Sequence, residues 1–304
     1  MSAECGMKAK EHMKSVGCTT RTARLNGHDF GFTMIEIAIS LAVIGFALVA
    51  IIGILPTGMS AQKENRHETI IAQDASVLLE GIRNGARGMD DLTNYVLAIT
   101  NTIQQFQPRG APVGGPVAWF YTRTNANAPT GTRDFWLTNG ARIVGLLSTP
   151  KFVTNTVAGG FFSNHVIAIV RSMSGPAIEK TPQTNSIMQD LGLAYRLVAD
   201  VSPVSTNYFD PTWIDANRFP TNSLEYTNTI NYSNVVRNLQ TNLHDLRLTF
   251  RWPLLPNGSD TGPFRQAFRV LVGGAIATDT NAIPGSPTNL YFFQPRVYVR
   301  ARPT

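Results

Sequence analysis

Between Ile37 and Leu55 the chain reads IAISLAVIGFALVAIIGIL, nineteen residues without a charge and interrupted only by Ser40, Gly45 and Gly53. A helix over this run would be about 28 Å long, close to the ~30 Å hydrocarbon thickness of a bilayer, so the run is read as a membrane span. From Ser60 to Arg83 the pattern changes. Ile71, Ala75, Leu78 and Ile82 recur at helical spacing, while Lys63, Glu64, Arg66, Glu68, Asp74 and Glu80 are placed elsewhere around the helix. This predicts an amphipathic continuation with one apolar stripe. Between the two patterns lies GILPTG. A proline removes one hydrogen bond from the helical ladder, so Gly53, Pro56 and Gly58 mark an expected helix break. Gly81, Gly85 and Gly88 with Asn84 supply the stop.

After Met89 the period shortens and strands are predicted. The candidates are Val117 to Thr122, Arg142 to Leu147, Val166 to Arg171, Leu193 to Ala199, Leu246 to Trp252, Ala267 to Val272, and Leu290 to Arg300 with Pro295 interrupting. Leu246, Leu248, Phe250 and Trp252 alternate with Arg247, Thr249 and Arg251, the pattern of a half-buried antiparallel strand. Asn-, Thr- and Pro-rich stretches such as Ser202 to Gln240 separate them. The expected architecture is α+β: a long N-terminal helix, first transmembrane and then amphipathic, packed on a β-rich C-terminal ectodomain with an antiparallel sheet.

Composition bears this out in two respects. Charged residues are 15% of the 304, against ~25% in an average soluble protein, yet hydrophobic residues reach 43%, which excludes a disordered chain. The first 31 residues carry five basic side chains (Lys8, Lys10, Lys14, Arg21, Arg24) and three acidic ones (Glu4, Glu11, Asp29). The bias of positive charge places the N-terminus in the cytoplasm and everything beyond Leu55 across the membrane.

The junction before the span is Gly31-Phe32-Thr33-Met34-Ile35-Glu36. It resembles the N-terminal cleavage and methylation signal of type IV pilins and type II secretion pseudopilins. The resemblance implies that a prepilin peptidase cuts on the cytoplasmic side after Gly31 and methylates the new amine of Phe32, with Glu36 as the glutamate of the fifth position. The domains would then be a removed leader (1–31), an N-terminal helix (32–88, of which 32–56 spans the membrane and 57–88 is amphipathic) and a globular ectodomain (89–304). Both cysteines, Cys5 and Cys18, precede Gly31, so the loop disulfide of many major pilins has no cysteines to form it. Together with the size of the ectodomain, this points to a minor-subunit-like member. The implied partners are the peptidase, other pilin or pseudopilin subunits and an inner-membrane assembly platform. The implied location is the bacterial inner membrane, single-pass, with a periplasmic ectodomain, and a filament after assembly.

Physical chemistry supports the same residues. A carboxylate within an apolar segment costs ~2.5–3.5 kcal/mol when central, so Glu36 calls for a cation, and a freed α-amine at Phe32 of a neighbouring chain is the obvious one. The rival classes are an adhesive or DNA-binding minor pilin and a signal-anchored enzyme. The ectodomain from Met89 carries 17 basic and 12 acidic residues, with Arg247, Arg251, Arg265, Arg269, Arg296, Arg300 and Arg302 gathered near its end. Isolated arginines on strands are more often solvated than bound to phosphate, so nucleic acid is not the expected partner. His67, His165 and His244 have no metal spacing, and Ser148-Thr149-Pro150-Lys151 lacks the companion motifs of a Ser-x-x-Lys enzyme. No catalytic residue and no enzyme activity is expected. No cofactor is expected either. The one candidate is a structural calcium ion near Asp260 or Asp279, although no loop has spaced carboxylates.

Overall fold

A computed structural model of the protein describes residues 31–108, 110–122, 133–154, 160–175, 192–204, 222–258, 260–280 and 289–300, with the backbone alone for 133–136. Residues 1–30, which include both cysteines, and Arg302 lie outside the described residues. The chain divides into two compact units, Met1–Met59 and Ser60–Thr304.

Helix α1 spans Met34–Arg83, fifty residues, with Pro56 in its interior. The expected break at Gly53, Pro56 and Gly58 is therefore not present in the chain on its own. Proline removes only its own N–H, which leaves the carbonyl four residues earlier without its helical donor but does not end the ladder. In the first unit every residue from Gly31 to Met59 is exposed. This one helix is long and apolar enough to cross a membrane, and none of its most apolar window is buried.

In the second unit the predicted stripe is the buried one: Ile71, Ala75, Leu78 and Ile82 are all at most 1% exposed. They join a single core with sheet residues such as Ile99, Val166, Ala168, Leu197, Leu248 and Phe250. The strands are β1 (Val96–Phe106), β2 (Pro112–Thr122), β3 (Arg133–Trp136), β4 (Phe152–Thr154), β5 (Phe161–Arg171), β6 (Ala194–Pro203), β7 (Leu243–Leu254) and β8 (Thr261–Gly273). They form one sheet in the order β3-β2-β1-β5-β6-β7-β8, with β4 paired beside β5. Every pairing is antiparallel except β2 with β3. Alternation sends Leu246, Leu248, Phe250 and Trp252 inward, as their spacing predicts, and Arg247 outward. A separate hairpin pairs β9 (Ala275–Asp279) with β10 (Leu290–Gln294). The result is the expected α+β arrangement of a long helix on an antiparallel sheet.

Three segments differ from their sequence patterns. Arg142 to Leu147, expected as a strand, lies in helix α3 (Gly140–Leu147), whose Asn139 side chain accepts a hydrogen bond from the Arg142 N–H as an N-cap. A Cβ on Gly140 would overlap the Met89 carbonyl oxygen, so only glycine lets α3 start against that backbone. The polar stretch Ser202 to Gln240 contains helix α4 (Leu224–Asn242), capped by Ser223. The final apolar run stops at Gln294, and Val297 to Arg300 is not a strand. A short turn of helix, α2 (Leu92–Tyr95), leads into β1.

The end of α1 is fixed by a Schellman arrangement. The Ala86 N–H donates to the Gly81 carbonyl at 2.9 Å and the Gly85 N–H to the Ile82 carbonyl at 3.0 Å, with Gly85 at φ +60°. A Cβ on Gly85 would also overlap the Phe293 carbonyl oxygen of β10, and the Arg87 guanidinium lies 4.2 Å from the centre of the Phe292 ring. Gly85→Ala should therefore lower stability by about 2 kcal/mol or more, from the left-handed backbone and the close approach together. Gly88, with nothing within 4 Å of an added Cβ, should accept alanine without loss. Urea unfolding of the full chain in detergent, followed by tryptophan fluorescence, checks the pair; equal midpoints for the two variants would refute it.

Candidate functional site

Gly31, Phe32 and Thr33 precede the helix, and Thr33 starts it. The Thr33 carbonyl accepts from the N–H groups of Glu36 at 3.0 Å and Ile37 at 3.1 Å, and its Oγ1 accepts from the Glu36 N–H at 3.3 Å. Thr-x-x-Glu is the capping-box spacing, and the structure forms one half of that box. The return bond from the Thr33 N–H to the Glu36 carboxylate is not made among the described residues. Glu36 sits in the first helical turn, where the dipole favours a negative charge, and its carboxylate meets no cation among the described residues. Phe32 is 78% exposed. The helix dipole thus gives a glutamate here a role within the single chain, beside the intersubunit role expected from the sequence, whereas the Thr33 cap uses only its backbone N–H.

The glycines of this segment have no internal cause. An added Cβ would meet nothing within 4 Å at Gly31, Gly45, Gly53 or Gly58, and none of the four has a left-handed φ. Inside a helix each glycine costs about 1 kcal/mol relative to alanine, so Gly45, Gly53 and Gly58 weaken the helix without easing any contact within the chain.

A second polar site lies within the helix-on-sheet core. Asp74, placed among the solvent-facing charges by its type, is 1% exposed. Its position three residues from Ile71 and four from Leu78 puts it on the apolar stripe, and that spacing is the signal that could have found it. Asp74 Oδ2 accepts from the Met173 N–H and the Tyr195 hydroxyl, each at 3.0 Å, and Oδ1 accepts from the Ser174 hydroxyl at 2.6 Å. Burial pushes its carboxyl above the ordinary range, and the hydrogen bonds from Ser174, Met173 and Tyr195 pull the other way without cancelling it. Burial, the nearby Asp74 charge and the hydrogen bond to it push the Tyr195 hydroxyl well up. The node ties α1 to the segment after β5 and to the start of β6.

The remaining candidates are not brought together. Ser148 is fully buried and its hydroxyl donates to the Val144 carbonyl at 2.7 Å, while Lys151 faces Asp200 at 4.0 Å. His165 is exposed on β5, His67 is half-buried on α1, and His244 lies edge-on to Phe293 with ring centres 5.6 Å apart. Burial lowers the pKa of His244, a backbone hydrogen bond with Gly274 opposing it. Asp260 closes a turn with Asn257, whose Nδ2 donates to Asp260 Oδ2 at 2.6 Å, and Asp279 ends β9. Among the described residues no three His, Cys, Asp or Glu side chains gather in a way that could hold a metal ion. No known protein family, curated protein or solved structure matches the chain.

The raised carboxyl of Asp74 sets a pH dependence. The folded chain holds this proton to higher pH than the unfolded chain does, so the stabilisation from the protonated form is present at low pH. It is lost as pH rises from the ordinary aspartate value near 3.8 through the raised folded value. Asp74→Asn should flatten that part of the stability profile. The amide's Oδ1 can accept from Met173 and Tyr195 while its Nδ2 donates to Ser174. Asp74→Leu should cost about 1–3 kcal/mol at low pH, where the parent's carboxyl is protonated, by stranding the Met173 and Tyr195 donors. Urea midpoints of the full chain between pH 3 and pH 8 check both; a profile for the Asp74→Asn variant that parallels the parent's would exclude Asp74 as its source.

Proposed function

We propose that this protein is a structural subunit of a type IV pilus-like or type II secretion pseudopilus filament. It is held as a single-pass protein in a bacterial inner membrane, with the N-terminus cytoplasmic and the ectodomain periplasmic. A prepilin peptidase cleaves it between Gly31 and Phe32 and methylates the Phe32 amine, and the apolar helix then packs into the filament core. Glu36 of one subunit pairs with the Phe32 amine of the next and sets the axial register. The observation that carries this reading is the Gly-Phe-Thr-x-x-Glu junction at the start of α1, whose most apolar window has no buried residue.

Four features support it. A segment with Phe32 and fifteen further large apolar residues from Met34 to Met59 exposed requires a covering of lipid or of other helices. Gly31 and the three helical glycines answer no need of the subunit itself, whereas small residues allow close helix approach in a membrane or bundle. The Glu36 carboxylate is not consumed by the Thr33 cap, so it is free to meet a neighbour's amine. The Ile52 carbonyl, deprived of a donor by Pro56, marks where local melting on assembly would cost least.

Native protein should show loss of residues 1–31 and a methyl group on Phe32 by intact mass and N-terminal sequencing. Full-length chains in a peptidase-positive cell would overturn the reading. Gly31→Ala should leave folding unchanged and block cleavage. Glu36→Ala should leave cleavage largely intact and reduce incorporation into filaments at least tenfold, while Thr33→Ala, which removes the side-chain cap, should not. Equal effects of Glu36→Ala and Thr33→Ala would assign the glutamate to helix capping instead of subunit pairing.

A further inference from the structure

We infer that the free edge of β8 is an acceptor for one added strand, and that its occupant is an extended acidic segment of a partner protein with alternating apolar and carboxylate residues. The inference stands on the ectodomain alone and does not depend on the use of the N-terminal segment.

β8 ends the sheet order and pairs with β7 from Leu243 opposite Gly273 to Leu254 opposite Thr261. Its other edge pairs with no strand among the described residues. Thirteen residues make an edge of roughly 40 Å with a row of unpaired backbone donors and acceptors, where proteins usually shorten, cover or interrupt such an edge. Pro263 interrupts it near the start, and Phe264 to Val272 contains no proline.

The two faces of β8 specify what would bind. On the inward face Leu246, Leu248, Phe250 and Trp252 of β7 are sealed, at most 2% exposed, whereas Phe264, Phe268 and Val270 opposite them remain half-buried. One more strand with apolar residues on this side would close the core. Gln266 Oε1, also on this face, is buried without a hydrogen-bond partner among the described residues. On the outward face the pairing sets Arg196, Arg251 and Arg265 directly opposite one another across β6, β7 and β8. Like charges directly opposite are destabilising. Arg269 is paired, its Nε donating to Asp245 at 2.7 Å, but neither Arg251 nor Arg265 has an ion pair or hydrogen bond among the described residues. A carboxylate on a strand beside β8, opposite Arg265, would compensate the Arg251–Arg265 end of the row.

A second copy of β8 fits poorly, because Thr261–Gly273 contains no carboxylate to meet Arg265 in any register, and two-fold pairings centred on Arg265, Ala267 or Arg269 set arginine against arginine. A nucleic-acid backbone could meet the arginines, but it would leave the apolar flank and the strand edge unused. Main-chain pairing for affinity with alternate side chains for specificity is the physics of strand addition.

The test uses the full chain in detergent with a labelled eight-residue peptide of alternating valine and glutamate. Fluorescence anisotropy should detect binding, and amide exchange should show new protection between Phe264 and Val272. The same peptide N-methylated at alternate residues should lose that protection. Arg265→Glu should weaken the valine–glutamate peptide about tenfold and favour a valine–lysine peptide, a gain that also verifies folding. Binding without protection of β8, or retention of an oligothymidylate with no binding of the peptide, would overturn the inference and leave an anion-binding face in its place.

Discussion

The contact on which the second unit depends is the stripe Ile71–Ala75–Leu78–Ile82 against the inner face of the sheet. A helix of this length could not hold its place through propensity alone, since most helical stability in proteins comes from packing an apolar face. Four residues at intervals of four, three and four place their side chains in one row, and the sheet answers with rows two residues apart from β1, β5, β6 and β7. Each of the large aliphatic side chains in that row is worth about 1.5–3 kcal/mol on burial. The Schellman turn at Gly85 and the stacking of Arg87 on Phe292 then fix where the helix stops, so the stripe cannot slide by a turn along the sheet.

Apolar burial specifies little about register, and the polar groups in the core supply what it lacks. Asp74 accepts from a backbone N–H and two hydroxyls on elements about a hundred residues away, and any shift of α1 would strand a buried carboxylate. A second buried pair, Asn101 on β1 and Asn164 on β5, performs the same service between strands. Asn101 Nδ2 donates to Asn164 Oδ1 at 3.4 Å, and Asn164 Nδ2 donates to the Pro150 carbonyl at 2.9 Å, which positions the segment leading into β4.

These polar groups also explain which parts of the fold can be read from the sequence. The stripe of α1 and the alternation of β7 are regular, and both are legible. β1 is not, because VLAITNTIQQF carries Asn101 on its inward face and Thr, Asn and Gln along most of its length, so its alternation is hidden. Helix α4 shows no stripe because only Ser233 and Val236 of its nineteen residues are buried; its capping serine is the stronger signal. RIVGLL is too short an apolar run to separate helix from strand by period, and Asn139 before Gly140 decides it. The Gly31–Glu36 junction spans only six residues, so the reading proposed for it draws on the sequence alone. Asp74 is the reverse case: its residue type argues for solvent and its position argues for the core, and position wins because three donors are waiting there.

The junction itself, on the proposed function, would have one residue serve two structures. In the single chain, Glu36 offers its backbone N–H to Thr33 and gains from the helix dipole, while its carboxylate makes no return bond. A full capping box would commit that carboxylate to the Thr33 N–H, and its desolvation in an apolar environment would then be partly offset from within the subunit. Leaving the second bond unmade keeps a charge that lipid would oppose and that, in the proposed filament, a neighbour's cationic amine would relieve. On the proposed assembly, the helix is capped well enough by Thr33 to exist before assembly, and the carboxylate stays costly enough to drive it. The unsupported glycines and Pro56 follow the same logic, since each lowers the stability of the lone helix at a place where only a partner could use the space or the loosened backbone.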